Sequence, residues 1–222
     1  MPARIVAVVN QKGGAGKTTI AMHLAGSLAR RSFKVLVVDA DPQGTSTRWA
    51  ASAPDDVPFP AAVNGLSAAE DKVHREVAKF VEDYHYIVID CPPALDSIIP
   101  QSALLVADLA LVPVVPSPPD LWAAVGIRRL IEASQLSNTV LRAQLVINDL
   151  EPNTTVAQKV RDILPEFGIP LTQSVIHHRT AYRQAAAFGS TVHTLKRARA
   201  AITEIEALTT ELLTLLEGEP HG

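Results

Sequence analysis

The sequence predicts an α/β protein, a mostly parallel sheet flanked by helices, and three observations carry that expectation. Short runs of Val, Ile and Leu recur along the chain and alternate with segments of helical period. The runs are continuously apolar, as suits strands covered on both faces. Three of them close on a polar residue, Asp39, Asp90 or Asn148, and the carboxyl ends of strands are where open α/β sheets bind ligands. The 222 residues, 47% hydrophobic and 19% charged, suit one globular domain spanning 1–222.

The first strand is Ile5-Val6-Ala7-Val8-Val9. It runs into Asn10-Gln11-Lys12-Gly13-Gly14-Ala15-Gly16-Lys17-Thr18-Thr19, and a helix follows with Ile20, Leu24, Ala25 and Leu28 on its buried side to about Arg31. Glycines let successive backbone N–H groups curl around an anion, and the new helix adds its positive end. In a phosphate-binding loop of this kind Lys17 reaches the β- and γ-phosphates and the Thr18 hydroxyl ligates Mg²⁺.

The second strand, Lys34 to Val38, ends in Asp39-Ala40-Asp41-Pro42-Gln43-Gly44, where Pro42 and Gly44 force a loop. Residues 50–65, with Pro54, Pro58 and Pro60, read as an irregular surface excursion. A helix is expected from Leu66 to Tyr84, N-capped by Ser67. Tyr86 to Ile89 is a buried strand closed by Asp90, followed by Cys91-Pro92-Pro93. A helix over Ser97 to Val106 leads to strand Leu109 to Val115. The stiff Pro116-Ser117-Pro118-Pro119 loop opens a helix carrying Trp122, Ile127 and Leu130. Leu145 to Asn148 is a strand, Val156 to Leu164 a helix, and Pro170 to Val175 an edge strand, because Pro170 cannot donate to a ladder. The tail, about 191–217, reads as one long amphipathic helix through Leu195, Ala198, Ile202, Ile205, Leu208, Leu212 and Leu215, stopped by Gly218 and Pro220.

The loop departs from the ordinary pattern: Gln11 stands at the first glycine position and Lys12 precedes the glycines. Lys12-Gly13-Gly14-Ala15-Gly16-Lys17-Thr18 resembles the deviant Walker A P-loop of the ParA/Soj/MinD family of ATPases, and Asp39-Ala40-Asp41-Pro42-Gln43 resembles that family's switch I. The resemblance extends over nearly the whole chain, from Ala3 to the last helix. It implies a P-loop NTPase fold, ATP and Mg²⁺ as cofactors, and slow ATP hydrolysis by an ATP-bound homodimer in which Lys12 reaches the partner's phosphates. It implies that residues 12–19 bind ATP, that Asp41 positions the attacking water beside Lys12 and Lys17, and that Asp39 and Asp90 join Thr18 and Asp41 around the metal. An asparagine at Asn148 would contact adenine, with a turn asparagine as its rival, and the Pro116–Pro119 loop would wall the base. The competing reading of Asp41 is a surface turn, and of Asp90 a helix cap.

Net charge is −3 and the pI about 6.2, so no global basic field announces a nucleic-acid partner. Between Glu166 and Glu204, however, there is no acidic residue, and Arg179, Arg183, Lys196, Arg197 and Arg199 stand in that interval. Such a patch suits sequence-independent phosphate contact, unless it is paired to glutamates elsewhere in the fold. The family resemblance favours nonspecific DNA binding there by the dimer. His177, His178 and His193 read as polar surface residues. The single cysteine, Cys91, excludes an intramolecular disulfide and reads as a small packed side chain.

The chain enters a strand within four residues, which leaves no room for a signal peptide, and no apolar run is long enough to span a membrane. These features predict a cytoplasmic protein, and the DNA binding that the resemblance implies would make it nucleoid-associated. The resemblance is nearest to a short ParA of the plasmid or chromosome partition type, without an N-terminal helix-turn-helix domain and with a centromere-binding, ParB-type adaptor as partner. The alternatives are a MinD-like membrane positioner, a positioner of a protein cluster or microcompartment, and a P-loop biosynthetic ligase. The glutamates of the tail argue against anionic lipid, so no membrane partner is expected.

Overall fold

The fold is that of a computed structural model describing residues 1–93, 97–151 and 168–218, without the side chains of 118–125. Among these residues the chain runs β1 (Arg4–Val8), α1 (Lys17–Arg30), β2 (Val35–Asp39), α2 (Thr45–Ala51), β3 (Ala62–Gly65), a 3-10 turn (Ser67–Lys72), α3 (Val73–Ala78), β4 (Tyr86–Asp90), α4 (Ile99–Leu104), β5 (Leu109–Val114) and α5 (Pro118–Gln135). It continues through β6 (Arg142–Leu150), β7 (Leu171–His177), α6 (Thr180–Ala187), a 3-10 turn (Val192–Thr194) and α7 (Arg199–Glu217).

All seven strands are parallel, in the order β3-β2-β4-β1-β5-β6-β7. β1 is central, and the loop that follows it opens beside the ends of β4 and β5. Side chains alternate between the two faces of each strand. One face carries Ala7, Val38, Ile89 and Val112 against Val73 of α3, Ile99 and Leu104 of α4 and Ile127 of α5. The other carries Val6, Val37, Val88 and Val146 against α1, Trp49 of α2, Tyr182 of α6 and the buried side of α7. Burial on both sides is why β2, β4 and β5 are unbroken apolar runs.

Several local expectations change. The stretch 50–65 is not wholly irregular. It contains the end of α2 and the edge strand β3, whose four residues Ala62-Val63-Asn64-Gly65 have no apolar alternation to announce them. The helix expected from Leu66 is broken at Glu70, which sits at φ 47° and ψ −114°, and Ser67 makes no side-chain cap. Only Val73–Ala78 is α-helical there. The long C-terminal helix is present but starts at Arg199. Thr191 and Leu195 are extended on either side of a single 3-10 turn, so Leu195 packs from a loop. β7 is an edge strand as expected. The helix anticipated over 156–164 lies outside the described residues.

The glutamates of α7 do not form a solvated face. Glu211 accepts the Gln173 and Ser174 backbone N–H groups of the edge strand at 2.7 and 3.0 Å. Glu204 is bonded by His177, Arg179 and Tyr182, and Glu206 by Ser27, Arg31 and His193. These carboxylates dock the helix and blunt the open edge of the sheet. Of the tail's glutamates these three are bonded within the fold, whereas Glu217 is exposed on α7 together with Arg199, Ala200, Thr203, Ala207, Thr210 and Thr214, and Glu219 lies outside the described residues. No helix among the described residues is long and apolar enough to cross a membrane.

Candidate nucleotide-binding site

Register brings the polar strand ends together. Asp90 is the partner of Val8 on one side and of Asp39 on the other. By alternation Asp39, Asp90 and Asn148 share the face that carries α1, so all three look toward the start of that helix.

The loop between β1 and α1 is shaped by its glycines. Gly14 and Gly16 have φ of 78° and 86°, a left-handed conformation that side chains disfavour. Gly16 is the N-cap of α1, no side chain caps the helix, and its first turn contains no acid. The N–H groups of that turn and the helix dipole are thus left for an anion. Beneath the loop, Asn148 is 6% exposed and its Nδ2 donates to the Ala15 carbonyl at 2.9 Å. A Cβ on Gly16 would overlap that same amide nitrogen. Asn10, also buried, donates to the Pro113 carbonyl at 2.6 Å and accepts from the Lys12 N–H at 3.2 Å.

Lys17 lies only 7% exposed and folds across the loop, its Nζ donating to the Lys12 carbonyl at 3.0 Å. Burial lowers its pKa, while the nearby Asp90, Cys91 and Asp41 raise it. Asp90 is pushed up to about 7, chiefly by burial. The Ser46 and Thr18 hydroxyls and Lys17 oppose that shift, and Asp39 adds to it. Each of the two buried acids spends one oxygen on α2. Ser46 Oγ donates to Asp90 Oδ2 at 2.7 Å, and the Thr47 N–H and hydroxyl donate to Asp39 Oδ2 at 2.7 and 2.8 Å. The other oxygens, Asp39 Oδ1 and Asp90 Oδ1, are buried without any hydrogen-bond partner. Two orphaned carboxylate oxygens on adjacent strand ends, with the Thr18 hydroxyl beside Asp90, are a donor set of the hard-oxygen kind Mg²⁺ takes. Asp41 is half-buried and closes its own turn, accepting the Gln43 N–H at 2.8 Å.

Beside the loop lies a cavity of about 240 Å³ reaching from Gly14, Gly16 and Thr19 to Asn148, His178 and Arg183. Asp149 at its wall has φ of 56° and bonds His178 Nδ1 at 2.6 Å, while Arg183 Nη2 faces His178 Nε2 at 3.1 Å. A guanidinium only donates, so Nε2 accepts and the proton sits on Nδ1, toward Asp149. The side chains of Pro118 and Pro119 fall outside the described set.

The five basic residues divide. Arg179 is bound to Glu204 at 2.6 Å and Arg183 to His178, and both line the cavity. Lys196, Arg197 and Arg199 are exposed. His193 is not a surface residue: its side chain is 4% exposed and bonded to Glu206. His177 and His178 are each bonded to a carboxylate, and no metal-binding group of three or more His, Cys, Asp or Glu occurs among the described residues. Cys91 is 1% exposed, a packed side chain whose thiol burial pushes up. Sequence reasoning missed Ser46 and Thr47, although the hydroxyl run Thr45-Ser46-Thr47 directly after Gly44 was a visible signal. It also missed Asp149 and His178 as cavity residues, for which no sequence signal existed.

Comparison with known proteins supplies the family and the fold. The profile of the CobQ/CobB/MinD/ParA nucleotide binding domain matches residues 6–192. The chain is 35% identical over 212 residues to the maintenance of carboxysome distribution protein A of Halothiobacillus neapolitanus, covering 94% of this chain and 95% of that one. It is 26% identical to the chromosome partitioning protein ParA of Caulobacter vibrioides, covering 86% of each. The fold is that of a Cyanothece McdA variant in complex with ATP, with a TM-score of 0.76 at 18% identity, covering 99% of this chain and 98% of that one. The chain therefore belongs to the CobQ/CobB/MinD/ParA nucleotide-binding family, as a P-loop ATPase of the ParA/MinD type.

Proposed function

We propose that this chain is a cargo-positioning ATPase. It pairs with a second copy when ATP is bound and holds DNA nonspecifically through exposed basic residues. It lets go when an adaptor protein on the cargo stimulates hydrolysis. The observation that carries the cargo reading is the full-length 35% identity to a carboxysome distribution protein, against 26% to a chromosome partitioning protein. The cargo it favours is a protein microcompartment of the carboxysome kind, in place of the plasmid or chromosome that the sequence alone suggested.

In the site, the N–H groups of residues 13–19 and the Lys17 ammonium hold the phosphates, and Asn148, in the cavity wall with its Nδ2 on the Ala15 carbonyl, would offer its remaining polar atoms to the base. Thr18, Asp39 and Asp90, together with Asp41 or a water it holds, would keep Mg²⁺, which supplies charge neutralisation when bound. Asp41 orients the attacking water, and Lys12 reaches the phosphates of the second copy. Catalysis of this kind is positioning plus electrostatic stabilisation.

The test is removal of the chain from its host. Clumped microcompartments with normal plasmid and chromosome inheritance are expected. Evenly spaced compartments with failed DNA inheritance would return the reading to DNA partition, which the ParA similarity supports.

A further inference from the structure

The helix α2 is joined at both ends. Its first turn grips the two buried acids through the Ser46 hydroxyl and the Thr47 hydroxyl and N–H. Its last turn carries Trp49, 7% exposed, whose indole Nε1 donates to the Ser190 carbonyl at 2.9 Å. The contact is close on both sides: a Cβ on Gly189 would overlap the backbone of Ser52 and Ala53. His23 of α1, fully buried, completes the joint. Its ring packs edge-on against Trp49 and Tyr182, with centroids 5.5 and 5.1 Å away, and its Nδ1 accepts the Val192 N–H at 3.4 Å. The segment held this way, 189–192, leads within a few residues to the exposed Lys196, Arg197 and Arg199. Packed, hydrogen-bonded elements of this kind shift as units and do not deform continuously.

We propose that α2 is a positioning bracket for the metal-binding acids, and that the Trp49–Ser190 hydrogen bond couples their occupancy to the placement of the basic segment 189–199. Ser46, Thr47 and Trp49 are positioning residues, since none of them carries the reacting atoms. Coupling between two sites is reciprocal, so a ligand on the basic segment must tighten or loosen metal binding by the same factor with which the metal alters that ligand's binding. The coupling deepens the proposed function, but its test does not depend on DNA being the ligand.

The experiment uses the whole chain loaded with a nonhydrolysable ATP analogue. Mg²⁺ affinity is read by calorimetry, and hydrogen exchange of 189–199 is followed with and without Mg²⁺. In the wild type, Mg²⁺ is expected to change exchange in that segment. Trp49→Phe keeps an aromatic side chain against His23 but removes the donor and part of the indole's packing. It is expected to weaken Mg²⁺ by up to about five-fold, the bound set by one ordinary hydrogen bond, and to abolish the exchange response of 189–199 while residues 12–19 still respond. Ser46→Ala, a milder change at the opposite end, is expected to do the same. An unchanged Mg²⁺ affinity and exchange response in either folded variant would overturn the proposal, and so would a wild-type segment indifferent to Mg²⁺. Failure to bind DNA, with these responses intact, would remove the DNA track and leave the bracket standing.

Discussion

Lys17 reaches back over its own loop to the Lys12 carbonyl, its Nζ 3.0 Å from that oxygen. The residue expected to hold the triphosphate thus has its ammonium folded over the cradle and largely stripped of water, with Asp90 and Asp41 near enough to favour its charge. An anion entering the loop offers that ammonium a stronger partner than a neutral carbonyl. Lys17→Ala is expected to weaken ATP binding by at least about thirty-fold, on the scale of one or more lost charge-assisted hydrogen bonds. Calorimetry with ATP and Mg²⁺ checks it, and near-native affinity would remove Lys17 from the phosphate site.

Gly16 and Asn148 are coupled by space. An alanine at position 16 meets both a left-handed φ of 86° and the Asn148 amide. Gly16→Ala is expected to cost about 2–4 kcal/mol of stability, part backbone strain and part overlap. In an Asn148→Ala background, which carries its own cost from losing the bond to the Ala15 carbonyl, the same glycine change is expected to cost only the backbone share of about 1–2 kcal/mol. Denaturant unfolding of the two single variants and the double variant measures this, and strictly additive losses would show that the two residues do not touch.

His23 is buried against Trp49 and Tyr182, and burial, aided by His193, lowers its pKa to about 3. Its folded value lies below its unfolded value of about 6.5, so the unfolded chain binds the extra proton. The stabilisation from neutral His23 is complete above pH 6.5 and is lost as pH falls from there toward 3. Between those limits the wild type is expected to lose about 1.4 kcal/mol per pH unit relative to His23→Gln. Taking the difference between the two proteins removes every other titrating group common to both. Parallel stability curves from pH 7 to pH 5 would contradict the assignment.

Lys196, Arg197 and Arg199 are exposed, whereas Arg179 and Arg183 are engaged by Glu204 and His178. Charge reversal of the three exposed residues is expected to weaken nonspecific DNA binding and lower the salt slope by about 2.7, the share of three phosphate contacts. Arg179→Ala is expected to reduce thermal stability by loosening Glu204. A gel shift repeated at several salt concentrations reads the first effect and a thermal melt the second. An unchanged slope in the triple variant would place the DNA-binding surface elsewhere.

Much of the site could be read in the sequence because it is local. The phosphate loop is one contiguous run, and Asp39, Asp90 and Asn148 end runs whose continuous hydrophobicity announces buried parallel strands. What the sequence hid is long-range or short. β3 is four residues of mixed polarity held by its neighbour β2. Glu70 breaks a helical pattern through a backbone conformation that no composition foretells. The glutamates of α7 read only as a local run of negative charge, but Glu204, Glu206 and Glu211 are bonding partners of α6, α1 and β7, and only the fold brings those groups within 3 Å of them. Arg179 and Lys196, neighbours in one basic interval, part company for the same reason.

The central claim is that ATP joins two copies through Lys12 while Lys17 serves the nucleotide of its own chain. Sedimentation with saturating ADP or a nonhydrolysable ATP analogue tests it most directly, in wild type and in Lys12→Ala. The account expects twice the monomer mass with the ATP analogue only, and monomers for a Lys12→Ala protein that still binds the analogue. A wild type that stays monomeric when loaded with the analogue, or a pair that forms equally well without Lys12, would contradict it.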